Sequence, residues 1–306
     1  MNLFLALADI LFNTFAPIFL IVTAVVLVNR RVKLDAQIFS RGIIYLFTPA
    51  LLFNRVATTN MQASEIGSVV LAAVCAGVFM VVLATGIARL LRFDRTLAST
   101  FVLTAFVMNS VNFGYPFIEF ALGSEALDRA VVFTVGQIFV VYTLGVYVAS
   151  RGQRSVQDSV KNVFLIPLPY ALALGAFFNL TGLTVPLPLD RATAVLGQAT
   201  VPCALVILGL QLSSVSLTGQ VKPLAAATLT RFVGGAAVGL LMVWLFGLQG
   251  LTAQVFILES SMPVGVTSGV LATEFGGDPQ FAAAAVMVST VLSVFFLGGL
   301  LLLLPV

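Results

Sequence analysis

Two acids, one arginine and a pair of asparagines stand in stretches of this chain where nearly every neighbour is apolar. Glu259 directly follows the run "AQVFIL", four residues before Pro263. A carboxyl in such surroundings binds a proton or a cation, alternating between neutral and charged as the site opens, or it stays neutral and ties two helices together by hydrogen bonds. The residue types leave both readings open. Arg231, in "TLTRFVGG", lies about ten residues into an apolar run, too deep to reach its end by stretching its side chain. It is expected to pair with Glu259 or, as the second choice, to hold an anion. Glu119 follows "NSVNFGYP" (109–116) by one turn and faces either the same space or the outer surface. Asn109 and Asn112 of that octapeptide offer donors and acceptors without the cost of burying a full charge. Asp9 reads as interfacial, and Glu125, Asp128, Glu274 and Asp278 read as solvated residues of short loops.

Other chemistry is thin. The chain has no histidine, which excludes histidine catalysis and histidine metal sites, and no metal site is expected. No Gly-rich phosphate loop carries a lysine, so nothing suggests an ATP-driven pump. No serine–lysine or cysteine–polar spacing offers a nucleophile with its base, so an enzyme is not expected.

The elements that must position these residues are membrane spans. The 306 residues are 60% hydrophobic and 9% charged, against about 25% charged in soluble domains. Ten apolar spans are expected near 3–28, 38–58, 66–91, 96–122, 128–150, 162–180, 188–212, 221–247, 252–275 and 279–305, each long enough to cross a bilayer. The first has no basic start and no small-residue cleavage pattern, so it reads as a span and not as a signal peptide. Cys75 and Cys203 fall inside spans and imply no disulfide framework. The net charge of +3 matters less than its placement. Arg30, Arg31, Lys33, Arg41, Arg89, Arg92, Arg95, Arg151, Arg154, Lys161 and Lys222 fall on one side, against Arg55, Arg129 and Arg191 on the other. The positive-inside rule then puts the first side in the cytoplasm of a multi-pass inner-membrane protein and both termini outside. Orientation explains this charge, and nucleic acid is not an expected partner.

The two halves repeat. Pro49 of "FTPALLF" and Pro202 of "TVPCALVI" are 153 positions apart, as are Gly123 of "FALGSEA" and Gly276 of "TEFGGDP". The same offset lays "ESSMPVGVT" (259–267) on "FVMNSVNFG" (106–114), so both halves interrupt a hydrophobic segment at matching places. Two five-span halves, 1–150 and 151–306, must then enter the membrane with opposite sense. Paired interruptions in inverted repeats point to the binding site of a secondary transporter. A break at 109–116 exposes amides at the start of its second half-helix, with Pro116 suited to a first helical turn and Gly114 to a backbone turn other residues resist. A lone proline would read as a kink; two paired breaks flanked by Asn, Ser and Glu favour a site.

These residues resemble the auxin efflux carrier family, which includes bacterial organic-acid permeases and the plant PIN-FORMED proteins. The marks run along nearly the whole chain: "YLFTPALLF" at 45–53, "NSVNFGYP" followed by "FALGSEAL", "VPCALVILGLQL" at 201–212, "SMPVGVTSGVLATEFGGD" at 261–278 and "VSTVLSV" at 288–294. The resemblance implies a fold similar to the bile-acid sodium symporters, all-α, with two inverted five-helix repeats and a scaffold and a core subdomain that each draw on both. Broken helices four and nine would cross at the bilayer midplane with substrate beside the crossing. Asn109, Asn112, Pro116 and Pro263 match the crossing positions, and Gly114, Tyr115 and Met262 adjoin them. Glu259 stands where many relatives carry a neutral residue such as Gln. The short loop at 151–161 lacks the long hydrophilic insertion of typical plant carriers, which makes this a bacterial-type member.

The expected protein is therefore a carrier of a small organic anion, a mono- or dicarboxylate, by alternating access. No cofactor is expected beyond a possible coupling ion, H+ or Na+, with Glu259, Glu119 and Arg231 as candidates. The alternatives are a sodium-coupled symporter of a larger amphipathic anion and, further off, an ion channel. The bilayer is the constant partner, and small-residue faces such as "RFVGGAAVGLL" also permit a homodimer.

Overall fold

The computed structural model describes residues 3–150, 165–213 and 221–304. Arg151, Arg154 and Lys161, with the 151–161 loop, lie outside the described residues. Among those described the secondary structure is helical throughout, apart from one isolated β-bridge. Seven helices among the described residues are long and apolar enough to cross a membrane. These are α1 (Ala8–Val32), α2 (Ala36–Thr58), α3 (Ala63–Leu90), α6 (Ser124–Ala149), α8 (Leu187–Leu212), α9 (Val221–Phe246) and α12 (Pro279–Leu303). The apolar helix α7 (Leu168–Thr181) is shorter. The two segments expected as spans four and nine are each divided. Arg95–Phe106 (α4) is followed by Tyr115–Leu122 (α5), and Gly250–Ser260 (α10) by Thr267–Glu274 (α11). Each piece is too short to traverse about 30 Å of hydrocarbon by itself.

Large apolar side chains face outward, among them Phe12, Leu20, Trp244 and Phe295. The interior is built from Ala, Val, Leu and Phe, with buried Thr and Ser hydroxyls turned back onto carbonyls of the preceding turn, as at Thr134, Thr228 and Thr290. This is the inverse of a water-soluble surface and suits lipid as the solvent. Helices α7 and α8 pack along α2, and α8 also along α1; α3 packs against α4, α6 and α9, and α10 against α6 and α9.

Among the described residues single π-helical turns are inserted in five places: Leu11–Phe15, Ile43–Phe47, Ser110–Gly114, Val141–Gly145 and Thr230–Gly234. Such turns squeeze one extra residue into a helix and are frequent at functional sites.

The bundle ends differ. One carries Arg30, Arg31 and Arg41 with Arg89, Arg92 and Arg95, at the ends of α1 and α3 and the starts of α2 and α4. At the other, Arg55 of α2 pairs with Asp128 of α6 at 3.0 Å. Arg129 lies 3.2 Å from Glu125 and 3.9 Å from Glu65, and the Thr252 hydroxyl accepts from Arg129 and donates to Glu65. The Asn54 amide donates to Asp190 at 2.9 Å, tying α2 to α8. Asp128 and Glu125, expected in a solvated loop, thus stand in the first turns of α6 as partners in an ion-pair cluster. Asp278 caps α12 by accepting from the Phe281 amide.

Candidate functional site: the crossing of the two interrupted helices

Helix α4 stops at Phe106 and α10 at Ser260, and the chain that follows each is drawn against the other. Met108 and Val264 form the isolated antiparallel bridge. The Asn109 amide donates to Pro263 O at 2.9 Å and the Gly265 amide to Val107 O at 2.8 Å. Backbone groups left over by two broken helices satisfy one another, which is how irregular chain is tolerated inside a helical membrane bundle. The Gln137 side chain of α6 donates to Met108 O at 2.9 Å, and the Ser289 hydroxyl of α12 accepts from the Val264 amide at 3.0 Å.

The first break is shorter than expected. Irregular backbone covers 107–109, and Ser110–Gly114 is already a π-helical turn running into α5. The second half-helix therefore opens at Ser110, with the amides of Ser110, Val111 and Asn112 beyond the reach of any intrahelical acceptor. Pro116 does sit in the first turn of α5. Gly114 was expected to bend the chain, yet its backbone is ordinary right-handed helix at φ −64°. Its reason is room: a Cβ there would stand 2.7 Å from Glu259 Oε1.

Glu259 is completely buried. Its carboxyl lies against the Gly114 backbone, beside Ser110 and within electrostatic range of Tyr115, and neither oxygen makes a well-formed hydrogen bond among the described residues. The expected pairing with Arg231 is not made. Arg231 is fully buried in the Thr230–Gly234 turn and donates through Nη1 to Ala105 O at 2.6 Å and through Nη2 to Ser260 O. The physical reason is that both carbonyls end helices and have no intrahelical amide left to take. Glu119 is half-buried near Arg55, toward the ion-pair cluster and away from Glu259.

A cavity of about 540 Å³ abuts the crossing. Asn109 and Asn112 line it with Ser110, Gln137, Tyr142 and Thr267, and it extends to Gln37, Ser40 and Arg41 at the start of α2. Among the described residues that line it, Arg41 alone carries charge. The Asn109 Nδ2 group, in a side chain only 4% exposed, has no acceptor among the described residues. Tyr115, Pro116, Met262 and Pro263 are buried behind the crossing, outside the lining, as is Gly114. Three of the five π-turns, at Ile43, Val111 and Val141, contribute to the wall. In the sequence Arg41 speaks only for orientation, and nothing marks Gln37 or Thr267; their proximity is tertiary and no local pattern announces it. Among the described residues no group of three or more His, Cys, Asp or Glu is placed to hold a metal ion.

Comparison with known proteins points to membrane transporters. The chain is 27% identical over 263 residues to an uncharacterized transporter of Methanothermobacter thermautotrophicus, covering 85% of this chain and 86% of that protein. It is 28% identical over 270 residues to an uncharacterized transporter of Methanocaldococcus jannaschii, covering 84% and 86%. The family model described as membrane transport protein matches residues 10–300. A multi-pass helical chain with two interrupted helices hydrogen-bonded at a polar-floored cavity thus belongs to the membrane transport protein family, that of the auxin efflux carriers, and is a membrane transporter.

Proposed function

We propose that this transporter is a secondary carrier of a small organic anion that works by alternating access. The observation that carries the reading is the cavity itself, whose one charged lining residue among those described is Arg41 and whose inner end is formed by Asn109, Asn112 and the opening amides of the helix that starts at Ser110. A helix amino terminus favours a carboxylate, and Asn109 Nδ2 supplies a donor with no acceptor among the described residues. The volume suits a small carboxylate with some water.

Further features support the finer architecture. Gly123 and Gly276, 153 positions apart, both adopt positive φ, +85° and +68°, just after α5 and α11, in keeping with an inverted repeat of two five-helix halves. The packing of α1, α2, α7 and α8 on one another, and of α3–α6 with α9–α12, fits a scaffold and a moving core. The basic end, where the cavity reaches Arg41, is taken as cytoplasmic, which makes this an inward-facing form with the Arg55–Asp128 end as the outer seal. Glu259, buried against the half-helix that meets substrate, is the proton-binding group of the cycle.

The test is transport current from purified protein on a solid-supported membrane, challenged with mono- and dicarboxylates at two pH values, with radiolabel counterflow for electroneutral exchange. Saturable flux of one carboxylate class is expected. Silence in both assays across the panel would remove the organic-anion reading.

A further inference from the structure

We propose that Arg231 is a resident cation: its guanidinium occupies the converging carbonyl ends of α4 and α10, where a carrier of this architecture would otherwise bind a coupling metal cation. The inference rests on the carrier reading for its meaning in transport, but its structural content stands on geometry alone.

The last turn of each interrupted helix keeps a carbonyl that takes no backbone amide among the described residues, Ala105 O and Ser260 O, and each end bears the negative pole of its helix. In secondary transporters such ends, with unwound carbonyls, are what coordinate a coupling cation. Here both ends are already engaged by one side chain. Ala105 O belongs to the last turn of α4 and Ser260 O to the last residue of α10, and Arg231 donates to both. The guanidinium is fully buried and forms no ion pair with a carboxylate among the described residues, so its countercharge is helix ends and not an acid. Room for it is made by Gly235, one turn on, where a Cβ would stand 2.4 Å from Nη2. A small monovalent ion has no place between these two helix ends while Arg231 holds both carbonyls, and the charge cannot leave with the substrate because it is covalently fixed. The cycle is therefore independent of sodium, and Glu259 is left as the one buried acid on this end of α10.

The experiment is thermal unfolding of the purified protein in detergent with Na+, K+, choline or methylguanidinium, read beside uptake. Wild type is expected to melt at one temperature in all four salts and to transport equally in Na+ and choline. Arg231→Ala, which empties the position, is expected to be stabilised by methylguanidinium or Na+ over choline by roughly 2–5 °C. Arg231→Gln keeps donors without charge and is expected to fail as a replacement, while Arg231→Lys rescues in part. Saturable Na+ stabilisation of wild type would overturn the proposal. So would an Arg231→Gln protein that melts and transports as wild type does, since a neutral tie would then suffice. Should the Ala variant not fold, the sodium titration of wild type and the Gln–Lys contrast decide by themselves. Absence of carboxylate uptake would defeat the carrier reading while leaving the melting results to judge Arg231.

Discussion

A methyl group on Gly114 would press into the Glu259 carboxyl, with its Cβ 2.7 Å from Oε1 and 3.0 Å from Oε2. Gly114→Ala is accordingly expected to cost about 1–3 kcal/mol of stability through overpacking. Shortening the opposing chain by Glu259→Ala should relieve that clash, so the double variant loses less than the sum of the singles in melting experiments. A purely additive result would mean that the two groups do not meet. The asparagines line the cavity and, on the proposed function, meet the ligand. Asn112→Ala is expected to reduce carboxylate uptake at least tenfold, the scale of a charge-assisted hydrogen bond of about 1.5–3 kcal/mol, in a protein that stays monodisperse. Wild-type uptake by that variant would take Asn112 out of the site. Glu259→Gln preserves shape and should flatten the dependence of uptake on pH, measured as initial rate across a proton gradient.

The broken helices were legible because hydrophobic runs contrast so sharply with "NSVNFGYP" and "SSMPVG", and because the same offset joins them. What stayed hidden was the exact course of the chain. A π-turn differs from an α-turn by one residue and leaves no mark in composition, so the helical stretch Ser110–Gly114 read as part of the break. Arg231 and Glu259 read as partners because opposite charges in an apolar sequence attract the eye; the carbonyl ends that Arg231 takes are backbone groups, which a sequence displays identically at every position. The crossing gives a matched pair of glycines for test. A Cβ on Gly265 would stand 2.7 Å from Met108 O, whereas one on Gly269 would meet only Ala282 Cβ at 3.7 Å. Gly265→Ala should therefore separate the crossing and abolish uptake, with a large drop in melting temperature, and Gly269→Ala should be close to neutral. Equal effects would show that the close approach at the crossing carries no special weight.

Across the whole molecule, the cavity and the ion-pair cluster lie toward opposite ends. Arg55–Asp128 joins α2 to α6 and Asn54–Asp190 joins α2 to α8, while the cavity opens the same α2 at Gln37 and Arg41. One helix thus borders both the seal and the opening. In a background lacking Cys75 and Cys203, a cysteine at position 112 is expected to react with a membrane-impermeant maleimide from the Arg41 side. Asp128→Asn should loosen the seal and raise labelling from the Arg55 side severalfold. Labelling from the Arg55 side alone in the parent would reverse the assignment of the open face. The gross plan of apolar helices and their charge asymmetry was visible in the chain, since lipid demands it. The pairing of α2 with α6 through Asp128 was not, because an acid read as loop-bound carries no sign of a partner so far away along the sequence.

The antiparallel bridge at Met108 and Val264 has a mechanical meaning. Two hydrogen bonds, Asn109 N to Pro263 O and Gly265 N to Val107 O, act as a rivet through the point where the interrupted helices meet. Such a joint is expected to resist bending, with hinging placed elsewhere in the bundle. The amide protons of Asn109 and Gly265 should accordingly be among the slowest to exchange with deuterium, and remain so while the protein turns over.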